Sequence, residues 1–413
     1  MIQPMYIGSY NIDIDGCCVH DMVLDFIRSL SSEENFVTVF TDMDKRSTQT
    51  KIRRLSLQHG NVDHGSTWYT ERIAQVRSVL VFSSAVDITP ALQNFKILRV
   101  LDLQDCVISN GYNLKHLCNL FHLRYLNLKE TKIDLFPEEV IGNLQFLETL
   151  DLRCSVFSCL PLTVTQLKYL MCLRVYVYTR VPDEIGSLRS LEELSWLNIH
   201  EDSSGIVEAL GFLTQLRVLN VALFTYKWND KLLESLHKLQ KIQDFEISDN
   251  CWTRSDPVNI DGLDTWMAPP HLRSLHIQHW SWFSTLPTWI NNNPPHNLSI
   301  LSIAVKELRQ ENLVILGELP SLRNLDLLVD HVNLRIYGNF VVGAGSFPCL
   351  LCCRLFGFVA PVVLQQGAMP LLRTLQFGVK VREARKIAGS SGSFDFSLGN
   401  LSSLQNVYVF FSI

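Results

Sequence analysis

Apolar residues recur along the chain in one frame, each followed by others three and five positions on. The frame reads ILRVLDLQDC around Leu98, HLRYLNLKET around Leu123 and FLETLDLRCS around Leu147. It returns, with varying fit, at Ile52, Val76, Leu170, Leu191, Leu216, Ile242, Leu272, Leu298, Leu322, Leu350, Leu372 and Leu404, giving about fifteen units. Most units start 21 to 26 residues apart, while the gaps after Ile242, Leu322 and Leu372 run to 28 to 32 and imply looped-out insertions. A fixed period of this length marks a repeat architecture, and here it matches the leucine-rich repeat.

Within a unit, Leu101 and Leu103 alternate with Val100 and Asp102, the pattern of a short half-buried strand. The return segments are clearest as LFPEEVIGNLQFL (135–147), CLPLTVTQLKYL (159–170) and RVPDEIGSLRSL (180–191). Their prolines fix an entry turn, the acidic or small residues suit a first helical turn, and the leucine-bearing end leads back to the next strand. Each unit is thus expected to make one strand and one short helix. The predicted fold class is α/β, a leucine-rich-repeat solenoid with parallel strands on the concave face and helices or turns on the convex face. No unit buries its leucines alone, so neighbour contacts carry the stability. The position closing each strand turn, held by Cys106, Thr131 and Ser155 in the three best copies, is expected to satisfy buried backbone groups. The final SLQNVYVFFSI reads as a strand with apolar Phe410, Phe411 and Ile413 and no polar closing helix. That predicts an uncovered edge, through truncation or through pairing with another element.

Between the apolar residues of each strand one side chain should face concave solvent: Asp102, Asn127, Asp151, Arg174, Ser195, Asn220, Glu246, His276, Ser302 and Asp326. This mixed ladder suits recognition of a macromolecule, although a merely solvated sheet has the same pattern. In HWSWFSTLPTWI, Trp280 and Trp282 lie just past a strand; they either rim the concave face as contact anchors or pack under the following insertion.

Composition narrows the function classes. Of 413 residues, 47% are hydrophobic and 19% charged, which supports a large core and excludes disorder as the main state. With 36 Lys and Arg against 41 Asp and Glu, no global charge favours nucleic acid as a partner. Eleven dispersed cysteines read as reduced thiols of a cytoplasmic protein. The opening MIQPMYIGSYNIDIDG lacks the basic and apolar regions of a secretory signal and offers no myristoylation site. Phe340 to Leu372 is the most apolar stretch, but its prolines, its glycines and a central Arg354 argue against membrane insertion.

No catalytic motif is present: no phosphate loop, no dinucleotide fingerprint, no nucleophile elbow and no zinc helix, so the chain reads as a non-enzyme. CLLCC (Cys349 to Cys353) has half of a zinc spacing without a second half, and Cys353 falls on the repeat's own apolar frame, so no metal is expected. The sequons at Asn297 and Asn400 read as chance in a chain without a signal sequence.

Taken together, CCVHDMVLDFIRSLSSEENFV, KIRRLSLQ, LRVLDLQDC, LFHLRYLNLKET, EEVIGNLQFLETLDLR and MPLLRTLQFGV resemble the C-terminal part of plant nucleotide-binding leucine-rich-repeat disease-resistance proteins of the coiled-coil class. The resemblance covers essentially the whole chain. It implies that residues 1–45 are a partial winged-helix segment with an MHD-like motif and linker, followed by repeats over 46–413. It also implies that His20 stands near ADP phosphates and that Asp21 holds the off state, with Val19 in place of the usual Met. From the residues themselves, Asp21 suits a helix N-terminus, and Val23, Leu24, Ile27 and Leu30 form an apolar stripe. The family's coiled coil and phosphate loop are not in this sequence, so no cofactor is expected on this chain, ADP or ATP belonging to longer relatives.

The function implied is plant immune recognition: a repeat module that binds a pathogen effector or a guarded host protein and restrains the nucleotide-binding domain of a receptor. One alternative is a part of an ADP/ATP-dependent switch completed by a longer chain. A second is a ubiquitin-ligase substrate receptor, for which the first fifty residues supply no adaptor-binding box.

Overall fold

The computed structural model describes residues 2–5, 16–34, 36–40, 52–57, 73–82, 89–106, 111–131, 133, 138–154, 158–225, 228–249, 258–277, 281–292, 294–330, 340–358, 362–380 and 397–412. The chain divides into two compact units, Met1–Val156 and Phe157–Ile413. The expected boundary at residue 45, Ser155 and Trp280 all lie outside the described residues.

In the first unit, β1 (Ile2–Met5) and β2 (Gly16–Val19) form an antiparallel pair, followed by helix α1 (Asp21–Glu33). A parallel ladder then runs through β3 (Thr38–Phe40), β4 (Arg54–Leu57), β5 (Ser78–Val81), β6 (Val100–Asp102), β7 (Tyr125–Asn127) and β8 (Thr149–Asp151). Strand β3 adds a rung ahead of the repeat frame that the periodicity did not reveal. The returns are 3-10 helices at Thr89–Asn94 and Gly111–Asn119 and the short α2 (Glu138–Asn143).

The second unit continues the pattern with β9 (Cys172–Arg174), β10 (Glu193–Ile199), β11 (Val218–Leu223), β12 (Asp244–Asp249), β13 (Val258–Asn259), β14 (Ser274–Ile277), β15 (Ser281–Phe283) and β16 (Ile300–Val305). It ends with β17 (Asn324–Val329), β18 (Phe340–Val342), β19 (Cys352–Phe356), β20 (Val362–Leu364), β21 (Thr374–Lys380) and β22 (Asn406–Ser412). The main parallel ladder is β9-β10-β11-β12-β14-β16-β17-β19-β21-β22. Strands β13 and β18 lie in two of the expected insertions: β13 pairs with β15, and β18 with β20. Helices α3 (Ser204–Leu210), α4 (Asp230–Lys238), α5 (Thr288–Asn292) and α6 (Gln310–Gly317) supply returns.

Each of the fifteen frame positions read from the sequence leads into a strand of these two ladders. The frame leucines carry the core: Leu98, Leu101, Leu103, Leu123, Leu126, Leu128, Leu147, Leu150 and Leu152 are all 1% exposed or less. Each such side chain contributes about 1.5–3 kcal/mol by leaving water. Two of the prolines act as expected, Pro161 (φ −66) and Pro182 (φ −62) each capping a one-turn 3-10 helix, Leu162–Gln166 and Asp183–Ser187, while Pro137 lies outside the described residues. The returns are more often 3-10 than α because a handful of residues must close each unit, leaving room for a single tight turn.

Among the described residues no helix is long and apolar enough to cross a membrane. The apolar stretch from Phe340 instead holds three short strands, and its Arg354 pairs with Asp326 in β17, Nη1 to Oδ2 at 3.6 Å.

Candidate functional site

The solvent-facing residues of the strands behave differently in the two units. In the first, Asp102, Asn127 and Asp151 close their strands: each Oδ1 accepts the backbone N–H two residues on, from Gln104 (3.1 Å), Lys129 (3.0 Å) and Arg153 (3.2 Å). This Asx turn satisfies a backbone donor that would otherwise extend the strand. Three residues after each Asx the backbone is left-handed, at Asp105 (φ 60), Glu130 (φ 61) and Cys154 (φ 59).

The turn corrects the expected ladder. Asn127 is 4% and Asp151 1% exposed. Neither faces solvent, because the side chain folds onto its own turn. Asp151 is further covered by Arg153, whose Nε and Nη2 donate to both carboxylate oxygens at 2.7 to 3.2 Å. Ser195 and Ser302 are buried as well. Asp102 stays half-exposed.

Two of the three residues expected to satisfy the turns, Thr131 and Cys106, bond backbone carbonyls there. Thr131, 1% exposed, donates its hydroxyl to Leu128 O at 2.7 Å. The Cys106 thiol lies 3.6 Å from Gln104 O, and burial, with Asp102 and Asp105 nearby, raises its pKa to about 11. It is therefore a neutral packing group rather than a nucleophile. Cys352 and Cys353 are also buried, and burial raises both thiols. In the ladder Cys353 stands between Leu325 and Leu375.

In the second unit the same position is used laterally. Arg174 grips Glu193 with Nε to Oε1 at 2.6 Å and Nη2 to Oε2 at 2.8 Å, and the Cys172 thiol donates to Oε2 at 3.1 Å. The Ser195 hydroxyl lies 3.1 Å from Glu193 Oε1 and 3.3 Å from Asn220 Oδ1, and Asn220 Nδ2 donates to Glu246. Burial pushes the Glu193 carboxyl up, but the hydrogen bonds from Arg174, Cys172 and Ser195, with the Arg174 charge, outweigh it and hold it below its ordinary value. The row then runs in register through Glu246, His276, Ser302, Asp326, Arg354, Gln376 and Tyr408. Arg174, Asn220, Glu246, His276 and Asp326 are all half-exposed.

From β10 onward most strands are also longer, although β14 keeps four residues and β19 five. Strands β3 to β9 have three or four residues, whereas β10, β11, β12, β16 and β17 have six or seven. A bulge in β10 between Leu194 and Leu197, with Trp196 at φ 67, stands at the change.

Beside this row runs a second one, of which the sequence reading named only Trp282. Trp282 is in register with Ala304, which is itself buried, Ala304 with Leu328, Leu328 with Phe356, and Gly378 with Phe410. Trp282 stays half-exposed between buried Ser281 and Phe283; Leu328 and Phe356 are half-exposed and Phe410 is 53% exposed. The rings of Phe356 and Phe410 lie 5.7 Å apart. The signal was present in LDLLV, CRLFG and VYVFF: apolar residues occupy both parities of these strands, so one set faces outward.

The MHD-like segment sits in the first unit. His20 is exposed and its Nδ1 accepts the Met22 N–H at 3.3 Å, so it caps α1, with Asp21 in the first turn. The apolar stripe is open to solvent: Ile27 is 48% and Leu30 41% exposed, with Val23 and Leu24 half-buried. Among the described residues no group of three or more His, Cys, Asp or Glu is arranged to hold a metal ion.

A match to a protein family agrees with this architecture. The family described as "Leucine-rich repeat region" matches residues 75–413. Disease resistance protein Pik-2 of Oryza sativa subsp. japonica is 29% identical over 441 residues, which cover 92% of this chain and 42% of Pik-2. Disease resistance protein RGA5 of the same rice is 27% identical over 420 residues, covering 98% of this chain and 36% of RGA5. The chain thus spans less than half the length of these plant disease resistance proteins. Among solved structures, the Toll–Spatzle complex of Drosophila aligns with 13% identity and a TM-score of 0.48, over 91% of this chain and 54% of that one. With fifteen frame strands in its ladders and a family match over residues 75–413, the chain belongs to the leucine-rich repeat family.

Proposed function

We propose that the chain is the recognition module of a plant immune receptor, acting in the cytoplasm and without catalysis, and that it binds a pathogen effector or a guarded host protein. The observation that carries this reading is the paired rows on the second unit: a polar row through Glu246, His276 and Asp326, and beside it an apolar row through Trp282, Leu328, Phe356 and Phe410. Exposed aromatic groups edged by partly desolvated polar groups are the composition of binding hot spots. The relatives' names, which are those of disease resistance proteins, supply the biological setting.

Co-purification of the tagged chain from infected and uninfected plant extracts tests it, comparing wild type with Phe356→Glu and Glu246→Lys. Partners retained by wild type and lost from both variants, with circular dichroism unchanged, support the assignment. An identical set of partners in all three refutes it.

A second reading concerns His20 and Asp21, which in a longer chain would belong to an ADP/ATP-dependent switch. The favouring observation is α1, whose capped N-terminus and stripe at Ile27 and Leu30 are both open. An apolar helical stripe left in water suits a helix that packs on a further domain. His20→Ala and Asp21→Val in a chain extended by a nucleotide-binding module are expected to change nucleotide retention, measured by chromatography of the released nucleotide. Unchanged retention would remove these residues from the site.

A further inference from the structure

The first unit carries a row that neither recognition surface uses. Arg53, Arg77, Arg99 and Arg124 occupy the same place in four successive repeats, just before β4, β5, β6 and β7, and all four are exposed. The backbone fixes the alignment: Arg77 N–H donates to Arg53 O, Arg99 N–H to Arg77 O and Arg124 N–H to Arg99 O, each at 2.8 Å. The arginines therefore stand one ladder step apart, about 4.8 Å at the backbone.

The same row shows which group these arginines accept. One step on, the row residue is Glu148, and Arg124 Nη1 bonds its Oε1 at 2.8 Å. In the second unit the row again places a carboxylate beside an arginine, Glu192 beside Arg217, and they pair at 3.3 Å. Arg77 and Arg99 have only arginines as ladder neighbours, Arg53 has Arg77 on one side, and among the described residues none of the three forms an ion pair. Three aligned like charges repel one another, an unfavourable arrangement that an external anion relieves.

We infer that Arg53, Arg77 and Arg99 form a docking strip for an acidic segment of another protein, an extended chain carrying successive carboxylates. Guanidinium groups hold carboxylates through two parallel hydrogen bonds, so the strip provides orientation as well as charge. A polypeptide is favoured over a polyphosphate because the row's own paired arginines hold carboxylates.

The test uses the full chain and a fluorescein-labelled octaglutamate peptide, read by fluorescence anisotropy at low and at physiological salt. Binding is expected, weaker at higher salt, and reduced on the order of tenfold or more by the combined Arg53→Glu, Arg77→Glu and Arg99→Glu changes. Arg323→Glu and Arg373→Glu, at the same row position in the second unit, are expected to leave binding within about twofold. If the charge-reversed chain does not fold, the three Arg→Gln changes decide, and a marked loss is still expected. No binding by wild type, equal loss in the second-unit control, or tighter binding of a labelled oligothymidylate through the same arginines would each overturn the inference.

Discussion

Phe356 of β19 and Phe410 of β22 touch ring to ring at 5.7 Å although strand β21 runs between them. Gly378 of β21 makes this possible: a Cβ there would stand 3.1 Å from Phe356 Cδ1. The missing side chain is a gap across which one aromatic ring reaches the next.

Gly378→Val is therefore expected to destabilise the protein by about 1 kcal/mol, against the β-propensity it adds, because it parts the two rings. Urea unfolding in wild-type and Phe356→Ala backgrounds measures it. A cost that is the same in both backgrounds would show that the ring contact is not its source.

Glu193 gives the second unit a defined acid sensitivity. Its carboxyl ionises below the ordinary 4.5, so the unfolded chain takes up its proton first as pH falls. The stabilisation is complete above pH 4.5 and is lost as pH falls through the lower folded value. Glu193→Gln is expected to cost about 1–2 kcal/mol at neutral pH, through the lost charge-assisted bonds to Arg174. The gap between the thermal midpoints of wild type and variant should close progressively below pH 4.5. A gap that stays constant to the lowest pH would contradict the assignment.

Glu130 holds a left-handed backbone, φ 61, with an exposed side chain whose ion pair to Lys129 spans 3.4 Å. Left-handed geometry costs a non-glycine residue about 1–2 kcal/mol, and an exposed pair returns little of it. Glu130→Gly should raise stability by about 0.5–1 kcal/mol in denaturant titration. A loss would mean that the pair with Lys129 outweighs the backbone strain.

Gly357 stands at φ 82, and a Cβ there would fall 1.7 Å from the Val329 carbonyl oxygen. Gly357→Ala combines a disfavoured backbone with a clash against a ladder strand, and is expected to cost about 3 kcal/mol or more. A thermal midpoint within two or three degrees of wild type would refute this, given about 2–4 °C per kcal/mol for a domain of this size.

The period of the leucines was sufficient to place all fifteen frame strands, because burial of Leu101, Leu126 and Leu150 depends on spacing alone. The outward face was harder to read. Asp102, Asn127, Asp151, Asn220 and Asp326 look alike along the chain, yet they divide according to what stands beside them. Asp151 meets its own Arg153, Asn220 meets Glu246 two dozen or so residues away, and Asp326 meets Arg354 on the next strand. Those partners are set by cross-strand register, which a one-dimensional pattern does not contain. The same holds for Phe356 and Phe410, which become neighbours only through a glycine on the strand between them.

Strand length governs a dimension of the molecule that repeat number does not. Adding units lengthens the face, whereas extending its strands by two or three residues broadens it from one row of contacts to two. Length and breadth are thus written at different sites in the sequence. A lineage of such chains can enlarge its reach by duplication and alter its grip by point substitution, with neither change disturbing the leucine core beneath.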